Sequence, residues 1–252
     1  MCGRYTVTSS PEALRALFGY EEQPNFPARY NIAPMQPISI VRMVDGKRHF
    51  ALARWGLLPS WVKAPKTFTL LINARGESAA DKPAFRAAMK RRRCLIPADG
   101  FYEWQAAGDR KPPFYVRAKS GAPLAFAGLW ETWTGPNGEE LETAAIVTTR
   151  ANRTLAPIHE RMPVIVPPDG FELWLNANEV DATTAAALIA PAPDNLLEAY
   201  EISTAVNRTA NDNSKLLEPV VPPQLQPASV KPTAKRAHAK RAKKDDGQAS
   251  LL

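Results

Sequence analysis

The chain has 252 residues, of which 45% are hydrophobic, and a formal net charge of +7. This length and composition are typical of one large or two small globular domains. No apolar run is long enough to span a bilayer, and no basic segment followed by an apolar one marks a secretion signal, so we expect a cytoplasmic protein that does not contact membranes. Two cysteines and three scattered histidines exclude a disulfide framework and offer no metal-ligand spacing, so we predict no metal and no other cofactor.

The first elements along the chain carry clear local signals. Ser10-Pro11-Glu12 combines a capping residue, a proline in the first turn and an acid at the positive end of the helix dipole. Gly19 provides a stop, so the sequence predicts a helix between these points. Alternating apolar residues over 37–44 and 47–55 flank Asp45-Gly46, which predicts a β-hairpin.

The later elements are short and mostly strands. We predict a helix over 83–91, a turn at 135–138, and two further helices over 170–175 and 181–189. Many short strands with a few peripheral helices favour an α+β or mainly β, barrel-like single domain. The predicted strands are 95–96, 101–105, 114–117, 124–130, 144–148, 163–166 and 200–203.

The last segment differs from the rest in composition. Residues 222–252 contain seven lysines and arginines but two acids and no aromatic residue. Such a segment buries too little apolar surface to offset its ordering entropy, so we predict a folded domain over 1–221 and a disordered basic tail over 222–252. Two interpretations of the tail stay open: it adds salt-sensitive affinity for nucleic acid, or it only improves solubility.

Cys2 directly follows the initiator Met1. Removal of Met1 by an aminopeptidase would leave an α-amine and a thiol on adjacent carbons, a pair that traps an aldehyde as a Schiff base and closes it into a thiazolidine ring. An α-amine with a pKa near ~8 is about a quarter unprotonated at about pH 7.5, against roughly a tenth of a percent for a lysine near ~10.4. The other interpretation is an ordinary small residue at a frayed terminus. Cys94, which enters an apolar strand, is expected to be a buried, unreactive thiol.

Seven loop segments combine turn residues with polar groups that a core would not need. They are 1–5 (MCGRY), 29–34 (RYNIAP), 55–61 (WGLLPSW), 72–77 (INARGE), 93–104 (RCLIPADGFYEW), 158–163 (IHERMP) and 206–219. In this order they resemble the SOS-response-associated peptidase (SRAP) family, abasic-site processing proteins that shield damage in single-stranded DNA. The resemblance implies a single SRAP domain of α+β class, in which helices flank an irregular, β-barrel-like sheet.

The resemblance also implies roles for individual residues. Cys2 corresponds to the catalytic residue that Met1 removal exposes and that cross-links to the aldehyde of an abasic site. Asn73 corresponds to the asparagine that holds the Cys2 amine and thiol in place. Glu103 and His159 correspond to the active-site glutamate and histidine. DNA contacts are implied for the phosphate-binding arginines Arg4, Arg75 and Arg161, for Trp104 and Thr148, and for Pro34 and Trp61, which form an apolar wedge beside the lesion.

The implied partner is single-stranded DNA that contains abasic sites. We expect a monomer associated with the nucleoid, and replication-fork proteins are candidate partners. Two departures from the family pattern weaken peripheral contacts. Val62 and the inserted segment 63–70 stand where some members carry a second tryptophan, and Ala210 stands where an arginine is common.

Our mechanistic hypothesis assigns one task to each residue of the site. His159 donates a proton to the sugar oxygen as the ring opens, the Cys2 amine attacks the aldehyde carbon, and Glu103 carries protons so that water leaves. The thiol then adds to the iminium, and β-elimination before that step gives a lyase side activity.

Two alternatives are kept. One is a thiol peptidase that uses Cys2 with Glu103 and His159, including autocatalytic removal of Met1. The other is a noncovalent nucleic-acid binding module. More simply, Glu103 could pair with one of the arginines 91–93, and Asn73 could be a turn former.

Overall fold

The computed structural model describes residues 2–108 and 110–220. Twelve strands lie in this part of the chain: β1 Tyr5–Val7, β2 Arg29–Ile32, β3 Pro37–Val44, β4 Lys47–Trp55, β5 Asn73–Arg75, β6 Arg93–Ala98, β7 Gly100–Trp104, β8 Pro113–Ala118, β9 Leu124–Thr134, β10 Glu140–Arg150, β11 Arg161–Pro163 and β12 Leu197–Glu201. The α-helices in the same part are α1 Pro11–Phe18, α2 Gly76–Ala79, α3 Arg86–Arg91, α4 Phe171–Leu175 and α5 Ala182–Ala185. Short 3-10 turns cover Pro168–Gly170, Ala186–Leu188, Thr204–Asn207 and Ser214–Leu217.

Five of the strands close into a barrel. Hydrogen bonds connect β10, β4, β3, β6 and β9 in that order, and β9 pairs with β10 again to complete the ring. Closure removes the open edges that a flat sheet would expose. Beyond the closed region, the last residues of β10 pair with β5 in parallel and with β11 antiparallel. The end of β10 therefore brings β5 and β11 together, although about 85 residues separate them in sequence.

The other five strands form a second, antiparallel sheet in the order β12, β8, β7, β1 and β2. β1 lies between β7 and β2, with Tyr5 opposite Phe101 and Ile32. Tyr5 is fully buried and packs edge-on against Trp55 and Phe126 of the barrel, with ring centroids 5.3 and 6.1 Å away. These aromatic contacts join the two sheets in one core, and they place the residues before β1 at the seam.

The structure confirms the α+β fold and the elements with strong local signals. The Ser10 side chain caps α1, and Gly19 ends it with a left-handed backbone. β3 and β4 pair from Pro37–Arg54 to Val44–Lys47 around the Asp45-Gly46 turn. Cys94 is fully buried, as expected. Within the described residues, no helix is both long and apolar enough to cross a membrane.

Several predicted boundaries were wrong, because tertiary contacts decided them. The helix predicted from 83 begins at Arg86, since the amides of Phe85 and Arg86 both donate to the Lys82 carbonyl and form a turn. The helix predicted over 181–189 is one turn of α5 followed by a 3-10 turn. The strand predicted over 163–166 covers 161–163, and the one predicted over 200–203 covers 197–201. The tail over 222–252 lies outside the described residues.

Asp99 holds the two sheets together at the corner between β6 and β7. Its carboxylate accepts hydrogen bonds from the Thr8 and Ser9 amides at 2.5 and 2.8 Å, and from the Ser9 hydroxyl. The Asp99 amide donates in turn to the Thr6 carbonyl at 2.8 Å. Because a charged acceptor satisfies several donors here, its loss leaves them without a partner.

We therefore expect Asp99→Ala to lower the free energy of unfolding by about 2 kcal/mol in urea titrations. Asp169→Ala is the matched control, because Asp169 is an exposed aspartate in a 3-10 turn. That control should stay within about 0.5 kcal/mol of the parent. Equal stabilities for the two variants would contradict the importance of the Asp99 corner.

Candidate active site and nucleic-acid interface

Cys2 lies at the seam of the two sheets, fully buried. Asn73 Nδ2 donates a hydrogen bond of 2.9 Å to the Cys2 carbonyl, and the Cys2 Sγ lies 3.8 Å from the Arg4 carbonyl oxygen. That same Arg4 oxygen accepts from the Tyr102 amide, so β7 runs beside the start of the chain. Burial raises the pKa of the Cys2 thiol, and the neighbouring Glu103 carboxylate raises it further. The thiol is therefore neutral at physiological pH.

Glu103 projects from β7 towards Cys2. Its side chain is 2% exposed, and burial raises its pKa from 4.5 to about 7. Near neutral pH, both its protonated and its ionised forms are therefore populated, which suits a group that must accept and return a proton. Of the arginines 91–93, which were the alternative partners of Glu103, two bind other groups. Arg92 pairs with Glu131, and Arg93 donates to backbone carbonyls.

Asn73 reaches the site because β5 pairs with β10, where Asn73 lies opposite Ile146. Its amide nitrogen contacts the Cys2 carbonyl, whereas the family resemblance implied contacts with the Cys2 amine and thiol. Its Oδ1 is buried and lacks a hydrogen-bond partner within the described residues. A buried acceptor without a donor is costly, so this oxygen is available to an amine or a ligand that enters the site.

His159 is half-buried in the loop before β11. The Arg161 amide donates to its Nδ1 at 3.0 Å, a closer contact than the 3.3 Å between Nδ1 and the Arg161 carbonyl oxygen, and a neutral imidazole that accepts this bond carries its proton on Nε2. Burial lowers the pKa of His159, which favours this neutral form. A ligand at this position therefore meets a hydrogen-bond donor on Nε2. Within residues 2–108 and 110–220, no three His, Cys, Asp or Glu side chains are grouped so that they could hold a metal ion.

Arg161 is held firmly in place. Its guanidinium makes a two-pronged ion pair with Glu77, at 3.0 and 2.8 Å, and donates to the Thr148 carbonyl at 2.7 Å. The Arg161 side chain is 11% exposed, and Thr148 is fully buried with its hydroxyl 3.2 Å from the guanidinium. In this structure Thr148 therefore orients Arg161 and has no exposed surface with which it could contact DNA directly.

The other predicted DNA contacts lie around this centre. Arg4 Nη1 donates to Asn31 Oδ1 and to the Val206 carbonyl, both at 2.9 Å. Trp104 Nε1 donates to Asn207 Oδ1 at 2.8 Å. Arg4 and Trp104 thus hold segment 206–207 in place. Some of their hydrogen-bond donors are used in these contacts with the protein.

Trp61 and Arg75 present surface next to Asn73, and Pro34 lies in the turn between β2 and β3. Trp61 is 58% exposed, Arg75 is exposed and Pro34 is half-buried. Trp61, Asn73 and Arg75 line one surface cavity of about 390 Å³, and Arg75 also lines a second one with Arg161. The structure therefore brings Cys2, Asn73 and Glu103 together directly, while His159 and Arg161 follow on the adjoining β11 side.

Three charged residues of the interface were missed by the sequence analysis. Lys82 and Trp61 line the same cavity, and Arg150 and Arg161 line another. Glu77 forms the ion pair that holds Arg161. Glu77 belongs to the segment INARGE, but its partner is 84 residues away. Arg150 lies opposite Arg161 in the β10–β11 pair. Only strand pairing reveals these neighbours.

Comparison with known proteins agrees with the site. Residues 1–209 match the family described as SOS response associated peptidase (SRAP). The chain belongs to the SRAP family. The abasic site processing protein YoqW of Bacillus subtilis is 36% identical over 222 residues, which cover 86% of this chain and 99% of that protein. The abasic site processing protein YedK of Escherichia coli is 31% identical over 228 residues, which cover 87% of this chain and 100% of that protein.

A solved structure shows the same fold. A Bacteroides thetaiotaomicron protein superimposes with a TM-score of 0.78 at 26% sequence identity, covering 87% of this chain and all of that one. The family resemblance of the seven segments is thereby confirmed. The names of these two relatives contain the abasic-site processing that the resemblance implied.

The raised pKa of Glu103 predicts a pH-dependent stability. Between its ordinary pKa of 4.5 and its native value of about 7, the folded state binds more protons than the unfolded state, so stability falls as pH rises through this window. Glu103→Gln cannot ionise and lacks this loss. Urea titrations should therefore show the variant gaining about 3 kcal/mol relative to the parent between about pH 4 and about pH 8.

The control for this measurement is Glu140→Gln, which replaces an exposed carboxylate at the start of β10. Its stability relative to the parent should not depend on pH in the same way. If the difference in unfolding free energy between Glu103→Gln and the parent stays constant across the pH range, ionisation of Glu103 does not destabilise the folded state, which would contradict the raised pKa.

Proposed function

We propose that this protein processes abasic sites in single-stranded DNA as part of the response to DNA damage, by forming a thiazolidine cross-link through Cys2 after Met1 is removed. The observation that carries the proposal is the joint placement of three groups. The Cys2 carbonyl accepts a hydrogen bond from Asn73, and Cys2 lies beside the Glu103 carboxyl, whose pKa of about 7 suits proton transfer. A cavity lined by Asn73, Arg75 and Trp61 adjoins them.

The chemistry begins with the sugar, which must open to expose its aldehyde. As the ring opens, the C1′–O4′ bond breaks, the proton of the C1′ hydroxyl passes through water to O4′, and Nε2–H of His159 hydrogen-bonds O4′, consistent with the bond that Nδ1 accepts from the Arg161 amide. The neutral Cys2 amine attacks C1′ and forms a carbinolamine. Glu103 in its protonated form gives a proton to the departing hydroxyl, so that water leaves and an iminium cation and a Glu103 carboxylate remain.

The thiol then adds to the iminium carbon and closes the five-membered ring. A sulfur–carbon bond forms, the iminium nitrogen receives the electron pair and becomes a neutral amine, and the thiol proton passes to Glu103. The whole reaction joins the aminothiol to the aldehyde and releases one water. Burial keeps the thiol protonated, but the attack is intramolecular, and effective molarities of about 10⁵ M or more compensate for a small thiolate fraction.

Two side activities follow from the same intermediate. Before the ring closes, the iminium acidifies the neighbouring carbon, so β-elimination nicks the strand and gives lyase activity. Removal of Met1 by the site itself remains part of the proposal as an (auto)peptidase step. Cleavage of other peptides is disfavoured, because thiol peptidases need a thiolate and burial raises the pKa of the Cys2 thiol.

The DNA is bound mainly through charge and apolar contact. Arg75, Arg161 and Arg4 supply cations for phosphates, and Trp61 and Pro34 supply an apolar wedge where the lesion lacks a base. Thr148 contributes by orienting Arg161, and Trp104 by fixing segment 206–207. All these groups come from one chain, so we expect a monomer, and replication-fork proteins are candidates for bringing it to single-stranded DNA.

The test separates covalent from noncovalent binding. The parent protein, incubated with an oligonucleotide that carries one abasic site, should give a complex that survives a denaturing gel. Cys2→Ser should reduce that stable complex at least a hundredfold, because oxygen does not close a comparably stable ring. Cys94→Ser is the matched control, since Cys94 is buried in the barrel, and it should cross-link like the parent.

A Cys2→Ser protein that still forms a gel-stable complex would contradict the thiazolidine scheme. A parent that binds abasic DNA but never resists denaturation would favour the noncovalent binding module instead.

A further inference from the structure

A groove beside the end of β4 has no role in the chemistry above. It has a volume of about 290 Å³, close to the lower end of small-molecule sites, which is about 300 Å³. Its walls are mostly apolar, with two cationic side chains among them. The lining residues that carry the argument are Met35, Arg54, Lys66, Phe68 and Leu70.

The apolar wall is exposed and held in a disfavoured conformation. Met35 is 52% exposed and has a φ of +71°, a left-handed backbone that a methionine rarely adopts. Its amide donates to the Trp55 carbonyl at 2.8 Å, which holds it in that turn. Backbone conformations of this kind persist mostly where the exposed side chain is needed. Flexible methionine side chains suit surfaces that contact flat, varied ligands.

Gly56 allows the two sides of this wall to meet. A Cβ at Gly56 would lie 2.3 Å from Leu70 Cδ1 and 3.9 Å from Met35 Sδ, so both side chains pack over its bare backbone. Leu70 is also exposed. Phe68 continues the surface, and the Trp133 indole fixes the loop below by donating to the Val62 carbonyl at 2.6 Å.

Arg54 is a cation whose Nε has no hydrogen-bond partner among the described residues. The residue is half-buried, and this Nε is itself buried. Burial alone lowers the pKa of this guanidinium. A partly desolvated arginine with an unsatisfied donor is costly unless an anion binds there. Lys66 lines the same groove and adds a second, exposed positive charge.

The groove is continuous with the proposed reaction site. Phe68 packs edge-on against Trp61, with ring centroids 5.7 Å apart. Trp61 in turn lines the cavity of Asn73 and Arg75. On the other side, Met35 directly follows Pro34 of the wedge. A DNA strand that leaves the lesion past Trp61 therefore reaches this groove next.

We infer that this groove is a nucleotide subsite for the DNA strand next to the abasic site: Met35, Phe68 and Leu70 contact a base, and Arg54 and Lys66 bind its phosphate. The inference rests on the proposed function. Aromatic and apolar contacts with a base tolerate any sequence, and an arginine beside them supplies the phosphate contact. The inserted segment 63–70, which stands where some family members carry a second tryptophan, thus provides its own base contact.

The test uses oligonucleotides with a tetrahydrofuran analogue of the abasic site, which lacks the aldehyde, so that binding is independent of cross-linking. Affinity is measured by fluorescence anisotropy over a series of salt concentrations. Arg54→Met removes the charge but keeps an apolar stem that can stay buried. We expect a loss of affinity of roughly fivefold and a salt slope lower by about 0.7, the value for one phosphate contact on a single strand.

Two comparisons locate the effect. One oligonucleotide has its 5′ flank shortened to one nucleotide, and a second has its 3′ flank shortened in the same way. The difference in affinity between Arg54→Met and the parent should disappear with one of these oligonucleotides and persist with the other. Arg15→Met, on α1, is the control and should bind all the oligonucleotides like the parent. Lys66→Met, an exposed change that cannot affect folding, should also lower the salt slope.

Met35 tests the base contact separately. Met35→Gly relieves the backbone conformation but removes the side chain, so it should weaken binding of the long oligonucleotide while Met35→Leu keeps it. Identical affinities and salt slopes for the parent, Arg54→Met and Lys66→Met would overturn the subsite. If the parent never cross-links to a true abasic site but Arg54→Met still weakens binding, the proposed chemistry is wrong and the subsite stands. If the parent cross-links but Arg54→Met and Lys66→Met bind like the parent, only the subsite is wrong.

Discussion

The hydrogen bond from Asn73 to the Cys2 carbonyl fixes the very start of the chain inside the protein. Chain termini usually fray, because few contacts offset the entropy of ordering them. Here β1 is held between β7 and β2, and Asp99 clamps the residues that follow it. The proposed nucleophile, the Cys2 amine, needs this restraint, because its reacting atoms belong to the backbone. The rest of the site is arranged around residues that are held in place.

Burial accounts for the acid–base properties of the site with one physical cause. It raises the pKa of the Cys2 thiol, raises that of Glu103 to about 7 and lowers that of His159. All three groups are thereby biased towards their neutral forms, and a neutral carboxyl can donate a proton. The fixed charges lie outside this centre, on Arg75, Lys82 and Arg150. The protein thus separates a buried centre of neutral groups from a charged rim.

Local signals predicted the elements that local contacts determine. Helix α1 and the β3–β4 hairpin were found because the cap at Ser10, the stop at Gly19 and the Asp45-Gly46 turn lie within the elements they define. Strand β5 has only three residues and exists because β10 offers it a partner, so no window of sequence reveals it. The ion pair between Arg161 and Glu77 and the burial of Thr148 likewise depend on strands distant in sequence.

The sequence proposed the members of the candidate site but not its energetics. Cys2, Asn73, Glu103 and His159 were selected because their segments resemble one family, and no single residue carried that selection. The pKa of Glu103 and the tautomer of His159 required the surrounding atoms, since they arise from burial and from the Arg161 amide. The Arg54 groove was not visible either, because its walls come from three separate segments.

Peptide mapping by mass spectrometry of the protein after reaction with abasic single-stranded DNA tests the central claim most directly. The account predicts a first peptide that begins at Cys2, lacks Met1 and carries the deoxyribose remnant with the mass of the condensed ring, one water less than the sum of its parts. A reacted protein that still begins with Met1, or an adduct that maps to an internal lysine, would contradict it.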